Sequence, residues 1–170
     1  FGSVSLGWAF SEEQFVEFLK PVLSFGKLRL SYGSSGNDVG LGDYDYVSTV
    51  SLGTAGFGTI PANQVSSGFG GLISYDRTWE KVSQKNFGID LNFFDNRLKA
   101  TFDYFIKDNT GMLVNVTYPG VLGGKAPKTN SGHLNVKGWE FTIGWRDQIK
   151  DFSYYANFNI GDTKSLLKEM

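Results

Sequence analysis

Apolar and polar side chains alternate along six separate stretches of this chain. The clearest is RLKATFDYFIKDNTGM, residues 97–112. There Leu98, Ala100, Phe102, Tyr104 and Ile106 share one side of an extended backbone, and Lys99, Thr101, Asp103 and Lys107 share the other. Phe105 alone breaks the polar side. A period of two with unlike faces predicts a β-strand. The pattern returns as Val4, Leu6, Trp8 and Phe10 in GSVSLGWAF, and as Leu28, Leu30 and Tyr32 in GKLRLSYG. It returns again as Phe87, Ile89, Leu91 and Phe93 in SQKNFGIDLNF, and as Trp139, Phe141, Ile143 and Trp145 in GWEFTIGWR. The last stretch, FSYYANFNI, gives Phe152, Tyr154, Ala156, Phe158 and Ile160. Most of these reach or approach the roughly 9–11 tilted residues with which a strand crosses a bilayer.

The connections alternate in length. FFDNRL at 93–98 and RDQIKD at 146–151 are tight turns rich in Asp and Asn. Residues 36–78 and 109–132 are long, glycine-rich and irregular in pattern. Between the first two strands, SEEQFVEFLK reads as a short helix, with Ser11 and Gln14 spaced as a capping box and Phe15, Phe18 and Leu19 on one face. Pro21 ends it. The helical connection and the two tight turns fall on one side, the long loops on the other. Short turns facing long loops is the topology of an outer-membrane barrel, and a soluble domain seldom carries an unstructured loop of about forty residues.

A soluble sandwich would bury the apolar faces; a membrane barrel would turn them to lipid. Composition suits either, with 22 glycines, 16% aromatic and 19% charged residues among 170. The placement of the aromatics favours the barrel. Phe10, Phe25, Phe94, Trp145 and Phe152 fall at the short-turn ends, and Tyr75, Trp79 and Tyr118 near the long-loop ends, as two interfacial girdles. Lys27, Arg29, Lys85, Asp90, Lys99, Asp103, Glu140 and Arg146 are assigned to the wet faces, which suit solvent or a water-filled lumen. A net charge of −1 gives no electrostatic case for nucleic acid. No apolar run reaches the roughly 18 residues of a membrane helix, which leaves a barrel open. Cysteine is absent, so neither disulfides nor thiolate metal sites arise from these residues. The chain begins with Phe1 and nothing near it reads as a signal peptide, so a piece of a longer protein is expected.

Catalytic and cofactor chemistry find little support. His133 is the only histidine, which rules out a local His cluster or Ser-His-Asp triad, and it reads as a solvated residue at a strand start. GGKAPKT resembles a phosphate loop but lacks the Gly required at Pro119 and the Ser or Thr required at Ala126. Asp38, Asp43 and Asp45 lack the spacing of a calcium loop. No enzyme, metal or cofactor is therefore expected. GDYDY, in the longest loop, is the candidate ligand contact. Tyr44 and Tyr46 could stack on sugars or peptide side chains, and Asp45 could accept hydrogen bonds, with a mobile external loop as the plainer alternative.

YDRTWEKVSQKNFGIDLNFFDNRLKATFDYFIKDNTGMLVNV closely resembles a stretch near the end of SusC-like (RagA-like) TonB-dependent outer-membrane transporters of Bacteroidetes. The resemblance is carried by Trp79-Glu80, by Asn86-Phe87-Gly88-Ile89-Asp90, by Phe94-Asp95-Asn96-Arg97-Leu98 and by Asp103-Tyr104-Phe105-Ile106-Lys107. Gly132, Lys137, Gly138 and Glu140 fit the segment that follows, and Phe1 to Phe15 and Lys27 to Asn37 fit the text upstream. The likeness lapses at Asn130-Ser131 and Val136. It implies an all-β fold: an antiparallel transmembrane β-barrel segment, part of a plugged barrel of about 22 strands with long extracellular loops and short periplasmic turns. Residues 1–170 would be a partial barrel with neither plug nor closing strand, since an arc of six strands leaves edges that a membrane does not tolerate. The implied function is active import of glycans or peptides across the bacterial outer membrane. The implied partners are the remainder of the chain, a SusD-like surface lipoprotein, the TonB–ExbB–ExbD complex, an oligosaccharide or peptide substrate, and outer-membrane lipid. A soluble all-β carbohydrate-binding or adhesion module and a passive porin are the alternatives.

Overall fold

A computed structural model describes residues 1–57, 62–122 and 126–169. Gly124 and Lys125 of the GGKAPKT stretch lie outside the described residues. The strands are β1 (Ser3–Trp8), β2 (Leu23–Asn37), β3 (Val50–Phe57), β4 (Ala62–Phe69), β5 (Glu80–Phe93), β6 (Leu98–Asn115), β7 (Lys128–Ile149) and β8 (Phe152–Glu169). Six of them form one antiparallel sheet in the order β1-β2-β5-β6-β7-β8, and β3 pairs with β4 as a separate hairpin. These six are the six alternating stretches of the sequence.

Register turns each strand's alternation into faces of the whole sheet. Leu28, Ile89, Phe102, Phe141 and Ile160 occupy one cross-strand row. Leu30, Phe87, Tyr104, Trp139 and Asp162 form the next row toward the long loops. The opposite face carries rows such as Lys27–Asp90–Thr101–Thr142–Asn159. Among the described residues no second layer covers the apolar face. Val16 and Leu23 are the only buried apolar side chains among the described residues, while Leu30 on β2 is 52% exposed and Phe87 on β5 39%. A soluble sandwich of this size would bury an apolar core between two sheets.

The short turns are built locally. Phe94, Asp95 and Asn96 all have φ between 53° and 66°, a left-handed conformation that Asn and Asp tolerate best. The Asp95 N–H donates to Ser24 Oγ at 2.8 Å, Asn92 Nδ2 donates to Asn96 Oδ1 at 2.7 Å, and the Phe94 ring packs 6.4 Å from Trp145. Lys150, at φ 54°, turns β7 into β8.

Four expectations are revised. SEEQFVEFLK forms two short 3₁₀ segments, Phe10–Glu12 and Gln14–Leu19, rather than one capped helix, and neither has a side-chain cap. The 36–78 connection is not irregular throughout, since it contains the β3–β4 hairpin. Half of the 109–132 stretch is strand: β6 runs on to Asn115 through a bulge at Gly111 (φ 69°), and β7 starts at Lys128. A bulge adds one residue and breaks the period of two, which hides the strand from its pattern. Finally, Lys85 stands opposite Ile106 on the apolar face, not the wet one.

Candidate functional site

The polar face is cross-linked along its length. The Arg29 guanidinium spans three strands, donating from Nε to Asp90 at 2.7 Å and from Nη2 to Asp103 at 3.2 Å. It crosses directly over Gly88, where a Cβ would sit 2.6 Å from Asp103 Oδ1 and 2.7 Å from the guanidinium carbon. Glycine is required there by close approach. Higher up, Asn86 Nδ2 donates to Ser31 Oγ at 2.9 Å and Gln84 Nε2 donates to Asn86 Oδ1 at 2.7 Å. At the long-loop end the buried Glu80 carboxylate accepts from Asn37 Nδ2 at 2.9 Å, Asn109 Nδ2 at 3.3 Å and the Leu113 N–H at 3.1 Å. Phe105, which interrupts the polar side of β6, lies over Gly138, where a Cβ would meet the ring at 2.5 Å. Its ring fills the space that the glycine leaves open.

Above Glu80 the long connection folds over the strand ends. Asp45 is held by the Gly42 N–H at 3.0 Å and by Arg77 Nη1 at 2.8 Å, and Arg77 Nη2 also donates to the Asp45 carbonyl. The Gly42 hydrogen bond and the Arg77 charge hold the Asp45 carboxyl below its ordinary value of 3.8. Lys128 Nζ donates to the Gly40 carbonyl at 3.4 Å. Asn130 Nδ2 donates to the carbonyls of Thr78 (2.8 Å) and Gly111 (2.7 Å), while its Oδ1 accepts from the Thr78 N–H at 2.9 Å. These ties enclose a groove of about 760 Å³ whose lining includes Tyr44, Asp45, Leu72, Arg77, Asn115 and Lys128.

Of the three candidate contacts from GDYDY, Asp45 is thus committed to Arg77 and the loop backbone. Tyr44 and Tyr46 stand 75% and 66% exposed, and Tyr44 lines the groove. Sequence reading missed Arg77, Lys128 and Asn130. Arg77 and Asn130 carry no periodic pattern, and their partners lie 32 and 52 residues away. Glu80 was visible as half of the Trp-Glu pair, but its role as an acceptor for donors on both neighbouring strands was not.

The family described as TonB dependent receptor-like, beta-barrel matches residues 1–167. The chain belongs to the TonB-dependent receptor β-barrel family. It is 30% identical over its full length to TonB-dependent receptor P39 of Formosa agariphila, and 29% identical over 94% of its length to TonB-dependent receptor SusC of Bacteroides thetaiotaomicron. Among solved structures it is similar to the RagAB peptide transporter, at a TM-score of 0.80 and 27% identity over 99% of the chain. It also overlays the RagAB peptide importer in an open-open state at a TM-score of 0.82 and 25% identity. The chain spans about a sixth of these relatives, 16% of the first two and 18% of the structures. In a TonB-dependent receptor barrel segment the open sheet is an arc of wall. Its exposed apolar rows are the lipid face and the Arg29–Asp90–Asp103 face is the lumen side.

Proposed function

We propose that this arc is carboxy-proximal wall and mouth of an outer-membrane transporter that actively imports oligosaccharides or peptides. The remainder of the chain closes and plugs the barrel. A SusD-like surface lipoprotein covers the mouth, and the TonB–ExbB–ExbD complex supplies energy through segments outside these 170 residues. One observation carries the reading: a hydrogen-bonding lumen face runs from the short turns up to a groove at the mouth, where two tyrosines stand exposed. Such a face offers donors and acceptors to hydroxyl-rich or amide-rich solutes, and aromatic rings stack on either. In this role Tyr44 and Tyr46 contact the ligand. Asp45, neutralised by Arg77, fixes the loop that presents them. The uncovered apolar face argues against the soluble carbohydrate-binding or adhesion module.

The test is Tyr44→Ala with Tyr46→Ala in the full-length transporter. Loss of one packed ring, worth about 0.5–1.5 kcal/mol, corresponds to a several-fold weaker ligand affinity. Barrel assembly, read by heat-modifiable migration, stays normal because the tyrosines support no buried backbone. Unchanged affinity and unchanged growth on the nutrient would show that recognition lies elsewhere in the barrel.

A further inference from the structure

The lipid face carries a row of lysines that lipid tails do not explain. Directly above the row of Phe87, Tyr104 and Trp139, register places Tyr32, Lys85, Ile106, Lys137 and Lys164 side by side on β2, β5, β6, β7 and β8. Three of the five are lysines, all exposed, on the same face as the apolar rows below them. Lys137 and Lys164 are directly opposite partners in the β7–β8 ladder. Like charges in that position repel and destabilise the pair unless an anion lies between them. Among the described residues none of these three lysines forms an ion pair. Among the described residues the nearby carboxylates do not balance the row. Asp108, one row higher, accepts from Asn135 Nδ2 at 2.7 Å, contacts His133 Nε2 at 3.3 Å and lies 4.0 Å from Lys168. Asp162 sits one row lower, opposite Trp139.

Height and shape point the same way. Lys85 is eight residues from Phe93 at the short-turn end of β5, or about 27 Å along the strand. At a tilt of about 40° that is roughly 20 Å of height, close to the apolar band of about 25 Å. Lys85 therefore stands near the upper boundary of the hydrocarbon, and the tilt of the row keeps Lys137 and Lys164, two and three strands away, within about 10 Å of that height. Below and beside Lys85 is a lipid-facing groove of about 460 Å³ lined by Leu6, Leu30, Tyr32, Phe87, Tyr104 and Ile106. It accepts a hydrocarbon chain.

We infer that Lys85, Lys137 and Lys164 together with this groove form a binding site for a phosphate-bearing lipid of the outer leaflet, phosphate on the lysines and an acyl chain in the groove. The occupant is the membrane lipid and not free phosphate, because Lys85, at one end of the cationic row, also lines the apolar groove. The site lies on the opposite face from the proposed ligand path, so its failure and that of the transport reading are separable.

The test uses the full-length transporter in detergent, titrated with bisphosphorylated lipid A and followed by native mass spectrometry. Removing two near-surface cationic charges weakens binding by roughly 25-fold, the effect expected for Lys137→Gln with Lys164→Gln. Lys99→Gln with Lys107→Gln removes the same charge from the lumen face and should retain wild-type lipid binding. Arginine at both 137 and 164 should restore it, which separates loss of charge from misfolding. Lipid A stripped of phosphate should bind the wild type as weakly as intact lipid A binds the glutamine variant. Equal binding by the glutamine variant, equal binding of the stripped lipid, or displacement of the lipid by micromolar inorganic phosphate would each overturn the assignment.

Discussion

Replacing Phe102 by lysine tests the inside-out reading most directly. Phe102 lies four residues above Leu98, where β6 meets the Trp145 level, and four below Ile106, at the level of the lysine row. At about 3.4 Å per residue and a tilt of about 40°, it stands roughly 10 Å from each boundary, which is the bilayer midplane. A lysine there costs about 2–4 kcal/mol, against about 0–1 near an interface. Phe102 also stacks on Trp139, with centroids 6.5 Å apart and planes at 24°, so losing the ring removes a further 0.5–1.5 kcal/mol or about that. Phe102→Ala measures the loss of the ring without the added charge. Thr101→Lys, one residue away, places the same charge on the lumen face between Asp90 and Thr142, where a cation is solvated and near a carboxylate. The assay is the denaturant midpoint of the full-length transporter in phospholipid vesicles, with heat-modifiable migration as the check on assembly. Phe102→Lys should be less stable than Thr101→Lys by at least about 2 kcal/mol. A reversed order would mean that the apolar rows face a protein core, and the barrel assignment of this face would fall.

Gly88→Val should separate Arg29 from Asp103 and lower barrel stability by about 1–3 kcal/mol in the same denaturant assay. The Asp45 carboxyl titrates below its ordinary value of 3.8, so its support of the loop is fully present above that value and lost as pH falls through the lowered one. Limited proteolysis of the 36–78 loop should therefore stay slow from neutral pH down to mild acid, and Arg77→Gln should speed it across that range; equal cleavage rates would remove Arg77 as the anchor. On intact cells, a cysteine at Ser66 should react with a membrane-impermeant reagent and one at Asn96 should not, and the opposite result would exchange the assigned sides.

The six wall strands were legible in the sequence because two unlike media lie against the two faces of one sheet. A side chain that meets either hydrocarbon or water obeys a period of two regardless of its neighbours, and Phe102, Ile89 and Phe141 show it without reference to any contact. The tight turns were legible for a similar local reason, since Asp and Asn tolerate the left-handed backbone. What stayed hidden depended on register. The bulge at Gly111 shifts the alternation by one residue, so the upper parts of β6 and β7 read as loop. The β3–β4 hairpin was missed because Leu52, Thr54, Val65 and Ser66 give it no strongly unlike faces. Lys85 was placed on the wet face by its charge, whereas its row partner Ile106 puts it on the lipid face. The triad of Arg29, Asp90 and Asp103 joins residues 61 and 74 positions apart, and the anchor of Arg77 on Asp45 spans 32. Periodicity is a property of one strand and its solvent, so one strand suffices to reveal it. A row of lysines, an arginine laid over a glycine and a groove at the mouth are properties of neighbouring strands, and only the paired sheet fixes which residues those neighbours are.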